Sequence, residues 1–149
     1  RREIDAAGRI VAPGFIDAHS HGDPFETPAF ENFLAMGVTT ISLGQDGVSP
    51  AAEDLGAWLD EVDTRGVGVN VALFVGHGTL RNQAGVGAQP EPDIAGIEAL
   101  TGRLESALRH TFGLSLGLEY PPGLHAGELE LRALARIVGY AVDRALAGG

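Results

Sequence analysis

The chain has 149 residues, of which 44% are hydrophobic, and this is enough to build one packed domain. It carries 20 acidic and 10 basic side chains, a formal net charge of −10, which argues against nucleic acid or an anionic membrane surface as the main partner. Because the chain has no cysteine, disulfides, thiolate metal ligands and a cysteine nucleophile are excluded.

The sequence begins at Arg1 without an initiator Met or a recognisable secretory leader, and no apolar run approaches the length of a membrane span. We therefore expect a cytoplasmic protein, although an upstream signal peptide could be missing. The sequence does not indicate an oligomeric state.

Residues 1–12 are predicted to be the remnant of a small β-sandwich domain, and residues 13–149 form the larger unit. Within the first segment, residues 2–10 have the pattern of a hairpin with Ala7-Gly8 at its turn.

The larger unit contains four predicted strands, which are apolar runs bounded by glycine or polar residues, at 14–18, 38–43, 67–75 and 112–118. Four segments with helical spacing of apolar residues follow them, at 26–36, from Ser49-Pro50 to 62, at 93–108 and at 129–146. Gly37 is predicted to end the first helix.

Near-continuous apolar strands that alternate with amphipathic helices predict an α/β fold with parallel strands covered by helices. A complete (β/α)8 barrel needs about 250 residues, so four such units form either an open sheet or half of a barrel. The abrupt start and end of the sequence favour the first half of a barrel.

Polar residues follow each of the four strands, and they are His19 and His21, Gln45 and Asp46, His77, and Glu119 and Tyr120. The carboxyl ends of parallel strands meet at one edge of a sheet, where active sites lie, so we expect these side chains to lie near one another.

His19 and His21 are separated by one residue at the end of the first strand. Residues i and i+2 of an extended strand project to the same side, so the two imidazoles can bind one ion, with bonds of about 2.0–2.1 Å for zinc. Taken alone, the pair is also compatible with two solvated loop histidines.

The segment APGFIDAHSH resembles the opening signature of the amidohydrolase superfamily, where it ends the first strand of a metal-dependent (β/α)8 TIM barrel. Three further segments extend the resemblance to the D-aminoacylases and N-acyl-D-amino-acid deacylases, namely MGVTTISLGQDGVSP, VNVALFVGHGTLR and GLSLGLEYPPG. The resemblance spans about residues 4–134 with the four motifs in order.

The resemblance implies that His19 and His21 bind the more buried of one or two divalent ions, with zinc as the leading cation and other divalent metals as options. Many D-aminoacylases carry cysteine at the position of Asp46, and a carboxylate there would change metal preference. Glu119 ends the fourth strand, where the superfamily often places a ligand that bridges two metals, and we prefer it to Asp46 as a ligand. A plain turn at Asp46-Gly47 and a solvated carboxylate at Glu119 stay open as alternatives.

Three more side chains receive roles from the resemblance. His77 is a candidate for orienting the substrate or an oxyanion, with a simple turn residue as the alternative. Arg81 is a candidate partner for the substrate α-carboxylate, with a surface position at a helix start as the alternative. Tyr120 matches a position that walls the substrate pocket.

The implied reaction is hydrolysis of a C–N amide bond, in which metal-activated water deacylates a small N-acyl-D-amino acid. The family's remaining metal-binding histidines and its catalytic aspartate follow later strands, so we expect the 149-residue chain to be an incomplete enzyme. A cyclic amidase of the dihydroorotase or hydantoinase type, a deaminase, and a truncated module without catalysis are the alternatives.

Overall fold

Parallel strands alternate with helices along the chain in the computed structural model, which describes residues 3–148. The strands are β1 (Phe15–Asp17), β2 (Val38–Leu43), β3 (Asn70–Leu73), β4 (Val75–Gly76) and β5 (Leu114–Ser115). The helices are α1 (Glu31–Ala35), α2 (Leu55–Arg65), α3 (His77–Gln83), α4 (Ile94–Ala107) and α5 (Glu128–Ala147), with a 3₁₀ helix at Gly123–His125. No helix between residues 3 and 148 combines the length and the apolar character needed to cross a membrane.

The strands pair in parallel and in chain order. β1 pairs with β2 and β2 with β3 in one sheet, and β4 pairs with β5 in a second. Only Phe74 separates β3 from β4, and its N–H donates to the carbonyl oxygen of Leu43 at 2.9 Å. The next N–H, of Val75, donates to Gly113 O at 2.9 Å. The predicted third strand is therefore one stretch that pairs first with β2 and then with β5, and the prediction of four parallel strands is confirmed.

The two long C-terminal helices agree with their predicted bounds to within one residue. The carboxylate of Asp93 caps α4 by accepting from the N–H of Gly96 at 2.9 Å. The helix predicted to begin at Ser49-Pro50 begins later, at Leu55, because Asp54 provides its cap. The short helix α3 was not predicted, since two glycines beside His77 suggested a turn.

Helix α1 is much shorter than the predicted segment 26–36. Pro28 has no N–H to donate and disfavours helical geometry at the preceding residue, and Phe30 adopts a left-handed conformation with φ 46°. The prediction that Gly37 ends this helix is confirmed, because Gly37 has φ 81° and its N–H donates to Leu34 O at 3.0 Å.

The predicted N-terminal hairpin is wrong over its described part. Residues 3–14 contain a turn, closed by the Arg9 N–H and the Ala6 carbonyl at 2.9 Å, and no strand; Arg2 lies outside the described residues. The apolar side chains of Ile10 and Val11 are 95% and 82% exposed, and two strands without an apolar surface to cover are not stable in water. The assignment of residues 1–12 to a small β domain stays a prediction.

The core lies between the strands and the helices that cover them. Its most completely buried apolar side chains are Ile41, Leu73, Val75, Leu80, Leu100, Leu104 and Leu134. They come from β2, β3, β4 and three helices, so the core fixes the ends of the strands from which the candidate site projects.

Gly44, directly after β2, is the position where the backbone leaves least room. It has φ +83°, and an added Cβ would lie 1.9 Å from Phe74 O. Gly66 has a similar φ of +77° with nothing within 4 Å of such a Cβ. We expect Gly44→Ala and Gly66→Ala both to lose about 1–2 kcal/mol from the left-handed backbone, and Gly44→Ala to lose at least about 1 kcal/mol more from the clash. Urea unfolding measures the difference, and equal losses would contradict the close approach.

Candidate metal centre

The loop after β1 alternates buried and exposed side chains. Ser20 is only 3% exposed, and its N–H donates to Ser42 O at 3.0 Å, which continues the pairing with β2. The N–H of His19 donates to the carboxylate of Asp17 at 3.1 Å. With Ser20 turned into the protein, His19 and His21 on either side project outward together.

The loop after β2 is a tight turn tied to the first loop. Asp46 and Gly47 both have left-handed backbone conformations, with φ 53° and 75°. The amide Nε2 of Gln45 donates to Ala18 O at 3.2 Å and to Ser42 Oγ at 2.8 Å. Gln45 therefore fixes the distance between the loop that carries the histidines and the turn that carries Asp46.

Three donor side chains converge at this edge of the sheet, and we call His19, His21 and Asp46 the donor group. Asp46 Oδ2 lies 3.3 Å from His19 Nε2 and 3.2 Å from His21 Nε2. The possible ligand atoms all lie within 4.8 Å of one another. The three side chains are 58%, 64% and 42% exposed, so the group is open to solvent.

The spacing of the donor group fits a divalent ion. Two ligands at about 2.0–2.1 Å from one zinc ion in tetrahedral geometry lie about 3.3–3.4 Å apart. The two nitrogen–oxygen distances have nearly this value without further movement. Two imidazoles and one carboxylate also leave coordination positions free for water or substrate, as catalytic zinc sites do. Hydrogen bonds from the imidazoles to Asp46 are the alternative explanation of the same distances.

The structure places Asp46, and not Glu119, beside the two histidines, and the preference for Glu119 as a ligand stays a prediction. Glu119 is exposed in the turn after β5 and does not belong to the one group of possible metal ligands found within residues 3–148. Asp46 joins the histidines because β2 is the direct neighbour of β1, whereas β5 follows two positions further along the strand order.

His77 and Arg81 are placed differently from the prediction. Both side chains are completely buried, and both contact the carboxylate of Glu130, which is 1% exposed. His77 Nε2 lies 2.7 Å from Glu130 Oε1, and Arg81 Nη1 donates to Glu130 Oε2 at 2.6 Å. We call these three side chains the Glu130 cluster.

The remaining donors of Arg81 are also engaged, with its Nε bonded to Gly87 O at 2.8 Å and its Nη2 bonded to Gln89 O. Arg81 is therefore a buried residue rather than a surface one, and its pairing with a substrate carboxylate stays a prediction. His77 is buried and its Nδ1 has no hydrogen-bond partner among the described residues, and its role in orienting a substrate or an oxyanion stays a prediction. Tyr120 is 54% exposed after β5, and its predicted place in a pocket wall stays a prediction.

Glu130 was not among the predicted site residues, although its place in the sequence carries a signal. Glu130 precedes Leu134 by four residues and Ile137 by seven, so it lies on the apolar face of α5. A single carboxylate on the buried face of a helix requires a buried partner, and Arg81 and His77 provide it.

No family model matches the chain. An N-acyl-D-glutamate deacylase from Alcaligenes xylosoxydans xylosoxydans is 33% identical over 159 residues, and the match covers 91% of this chain and 33% of that protein. The structure of N-acyl-D-glutamate deacylase from Bordetella bronchiseptica, complexed with zinc and a phosphonate inhibitor, superposes with a TM-score of 0.84 at 36% identity and covers 91% of this chain and 34% of that one. A crystal structure of D-aminoacylase, which defines a novel subset of amidohydrolases, has a TM-score of 0.84 at 31% identity, with 95% and 35% covered.

Parallel strands followed by helices, with a His-x-His pair and a carboxylate at their carboxyl edge, are the features of the amidohydrolase superfamily, and these comparisons confirm that resemblance. Within the superfamily, the chain belongs to the branch of the D-aminoacylases and N-acyl-D-glutamate deacylases. It spans about a third of the length of the relatives that it matches.

Proposed function

We propose that this chain forms the metal-binding first half of a (β/α)8 barrel in a hydrolase that deacylates N-acyl-D-amino acids. The observation that carries the proposal is the donor group, which brings two imidazoles and one carboxylate within 4.8 Å at the carboxyl edge of parallel strands. The names and the zinc of the relatives support this assignment.

The half-barrel is supported by the outer strand of the sheet. β1 pairs with β2 on one side, and its apolar residues Phe15 and Ile16 are 66% and 74% exposed. Parallel strands are normally covered on both faces, so these side chains need further structure to bury them. The part of the relatives that this chain does not match is long enough to supply it.

We propose His19, His21 and Asp46 as the ligands of a zinc ion, with a second divalent ion and Glu119 as an addition. A metal ion bound there would supply the Lewis-acid chemistry that polarises an amide carbonyl and activates water. The residues of this chain would hold the ion through two imidazoles and one carboxylate. Asp17 accepts from the backbone N–H of His19 and so fixes the backbone that carries the first imidazole, and Gln45 ties the turn of Asp46 to the loop of the histidines. The general base and the remaining ligands come from the part of the barrel outside this chain.

The substrate class follows from the relatives rather than from this site. Both N-acyl-D-glutamate deacylase comparisons extend over 91% of the chain, which favours a linear N-acyl-D-amino acid over a cyclic amide or a deamination substrate. We propose that Tyr120, exposed at the same edge of the sheet, contributes to the wall of the substrate pocket.

Metal binding by the 149-residue chain tests the donor group. We expect one equivalent of Zn²⁺ or Co²⁺ to bind in calorimetric titration, and His21→Ala to weaken binding at least about tenfold because it removes one ligand. His110→Ala is the matched control, since His110 is exposed outside the donor group. The same titration is made on the complete protein that contains this chain, because the remaining ligands lie outside the chain. Failure of the complete protein to bind either ion would contradict the metal centre.

The substrate class is tested with the complete protein that contains this chain. We expect hydrolysis of N-acetyl-D-glutamate or another N-acyl-D-amino acid, and a much lower rate with the L enantiomer. Hydrolysis of dihydroorotate or a hydantoin in place of these substrates would favour the cyclic amidases.

A further inference from the structure

The Glu130 cluster connects two segments that are far apart in sequence. His77 and Arg81 are four residues apart, so they lie on one face of α3. Glu130 lies in the first turn of α5 and contacts both, one with each carboxylate oxygen. All three side chains are buried, so solvent does not compete for these contacts. The cluster therefore fixes the position of α3 against α5.

Helix α3 also contacts the turn that carries Asp46. Thr79, between the two cluster residues of α3, donates its backbone N–H to Gly47 O at 3.2 Å. Its hydroxyl accepts from the N–H of Ser49 at 3.0 Å and donates to Ser49 O at 3.2 Å. An added Cβ on Gly78 would lie 3.0 Å from Gly47 O, so helix and turn are in direct contact.

The turn places two successive residues, Asp46 and Gly47, in left-handed backbone conformations. Asp46 has φ 53°, a left-handed value that is uncommon for residues other than glycine. The direction of its carboxylate depends on this backbone, and a small rotation would move Oδ2 away from the two imidazoles. Contacts from α3 to Gly47 and Ser49, on the C-terminal side of Asp46, restrict that rotation.

We propose that Glu130 is a positioning residue for the metal centre, and that it acts through α3 and Thr79 to hold Asp46 at the donor group. This inference rests on the proposed metal site. Glu130 itself contacts neither the ion nor the substrate. Loss of a group that contacts a metal ligand directly typically weakens binding about 10–100-fold, and Glu130, which acts through α3, should lie near the lower end of that range.

The test compares two Glu→Gln substitutions on α5 in the complete protein that contains this chain. Glu130→Gln keeps the shape of the side chain and removes the buried charge, whereas Glu128→Gln makes the same change at an exposed pair with Arg132. We expect Glu130→Gln to weaken Co²⁺ binding about tenfold or more and to change the visible absorption spectrum of the bound cobalt. Glu128→Gln should leave both unchanged.

Thr79→Val provides a second variant that leaves the charges in place. It keeps the volume and the backbone bond to Gly47 but removes both hydroxyl bonds to Ser49. We expect weaker Co²⁺ binding and a spectral change in the same direction. Since both substitutions act on one path, the double variant should lose less affinity than the product of the two single losses.

The outcomes separate this inference from the proposed function. If the unaltered complete protein binds no Co²⁺, or if its His21→Ala variant binds the ion equally well, the metal site itself is wrong. If the unaltered complete protein binds through His21 but folded Glu130→Gln matches Glu128→Gln in affinity and spectrum, Glu130 has only a structural role. If Glu130→Gln does not fold, the Co²⁺ affinity and the cobalt spectrum of Thr79→Val test the inference instead. Unchanged affinity and an unchanged spectrum in Thr79→Val would overturn it.

Discussion

Replacement of Asp46 by alanine should lower the affinity of the chain for Zn²⁺ by at least about 100-fold. Asp46 Oδ2 is the atom that lies near both imidazoles, at 3.2 and 3.3 Å, so its loss leaves two neutral ligands and no charge to balance the ion. Loss of a residue that only orients a ligand already weakens binding about 10–100-fold, and loss of the ligand itself should exceed that range. Calorimetric titration of Asp46→Ala beside the unaltered chain measures the change.

Two further substitutions at Asp46 separate charge from ligand type. Asp46→Asn keeps the shape and one carbonyl oxygen but removes the charge, and we expect an intermediate loss of affinity. Asp46→Cys supplies a softer thiolate, so it should retain Zn²⁺ while binding of Mn²⁺ falls further. Equal Zn²⁺ affinity in the unaltered chain and in Asp46→Ala would show that the three donors form hydrogen bonds only.

Arg81→Met should produce the largest loss of stability among the polar substitutions in this chain. It leaves the carboxylate of Glu130 buried with His77 as its remaining partner, and breaking a buried ion pair in this way typically costs about 3–5 kcal/mol. Arg132→Met is the control, because the pair of Arg132 and Glu128 is 73% and 75% exposed and contributes little. Urea unfolding of both variants measures the difference.

The double variant Arg81→Met with Glu130→Met tests whether the loss comes from the unpaired charge. Replacement of both members of a buried pair by apolar residues is often close to neutral, so the double variant should be more stable than Arg81→Met alone. If both single arginine variants lose the same stability, the burial of Arg81 in this structure is wrong. If Glu130 holds Asp46 in place as proposed, the double variant should bind Co²⁺ more weakly than the unaltered chain even though it is folded and stable.

Most helices and strands were predictable because their signals are local. The apolar run of β2 and the spacing of α4 and α5 gave bounds accurate to about one residue. The predicted helix bounds are wrong where a proline, a helix cap or glycines determine the bounds more strongly than the spacing of apolar residues does. Pro28 shortens α1, Asp54 moves the start of α2, and two glycines beside His77 concealed α3.

The candidate site was predictable in part. The position of His19 and His21 at a strand end follows from alternation along one strand, and the structure places them side by side, with ring centroids 5.3 Å apart. The sequence does not decide whether Asp46 or Glu119 lies beside the histidines, because both residues follow a strand and both carry a carboxylate. Only the strand order shows which strand end is next to β1.

By itself, the sequence determined the order of the parallel strands and helices, the histidine pair and the branch of the amidohydrolases. The tertiary structure decided which carboxylate joins the histidines and that Arg81 and His77 are buried against Glu130. The physical reason is distance along the chain. Helical and strand periodicity is set by neighbours a few residues apart, whereas Asp46 meets His19 across 27 residues and Glu130 meets Arg81 across 49, and such pairings depend on how the layers pack.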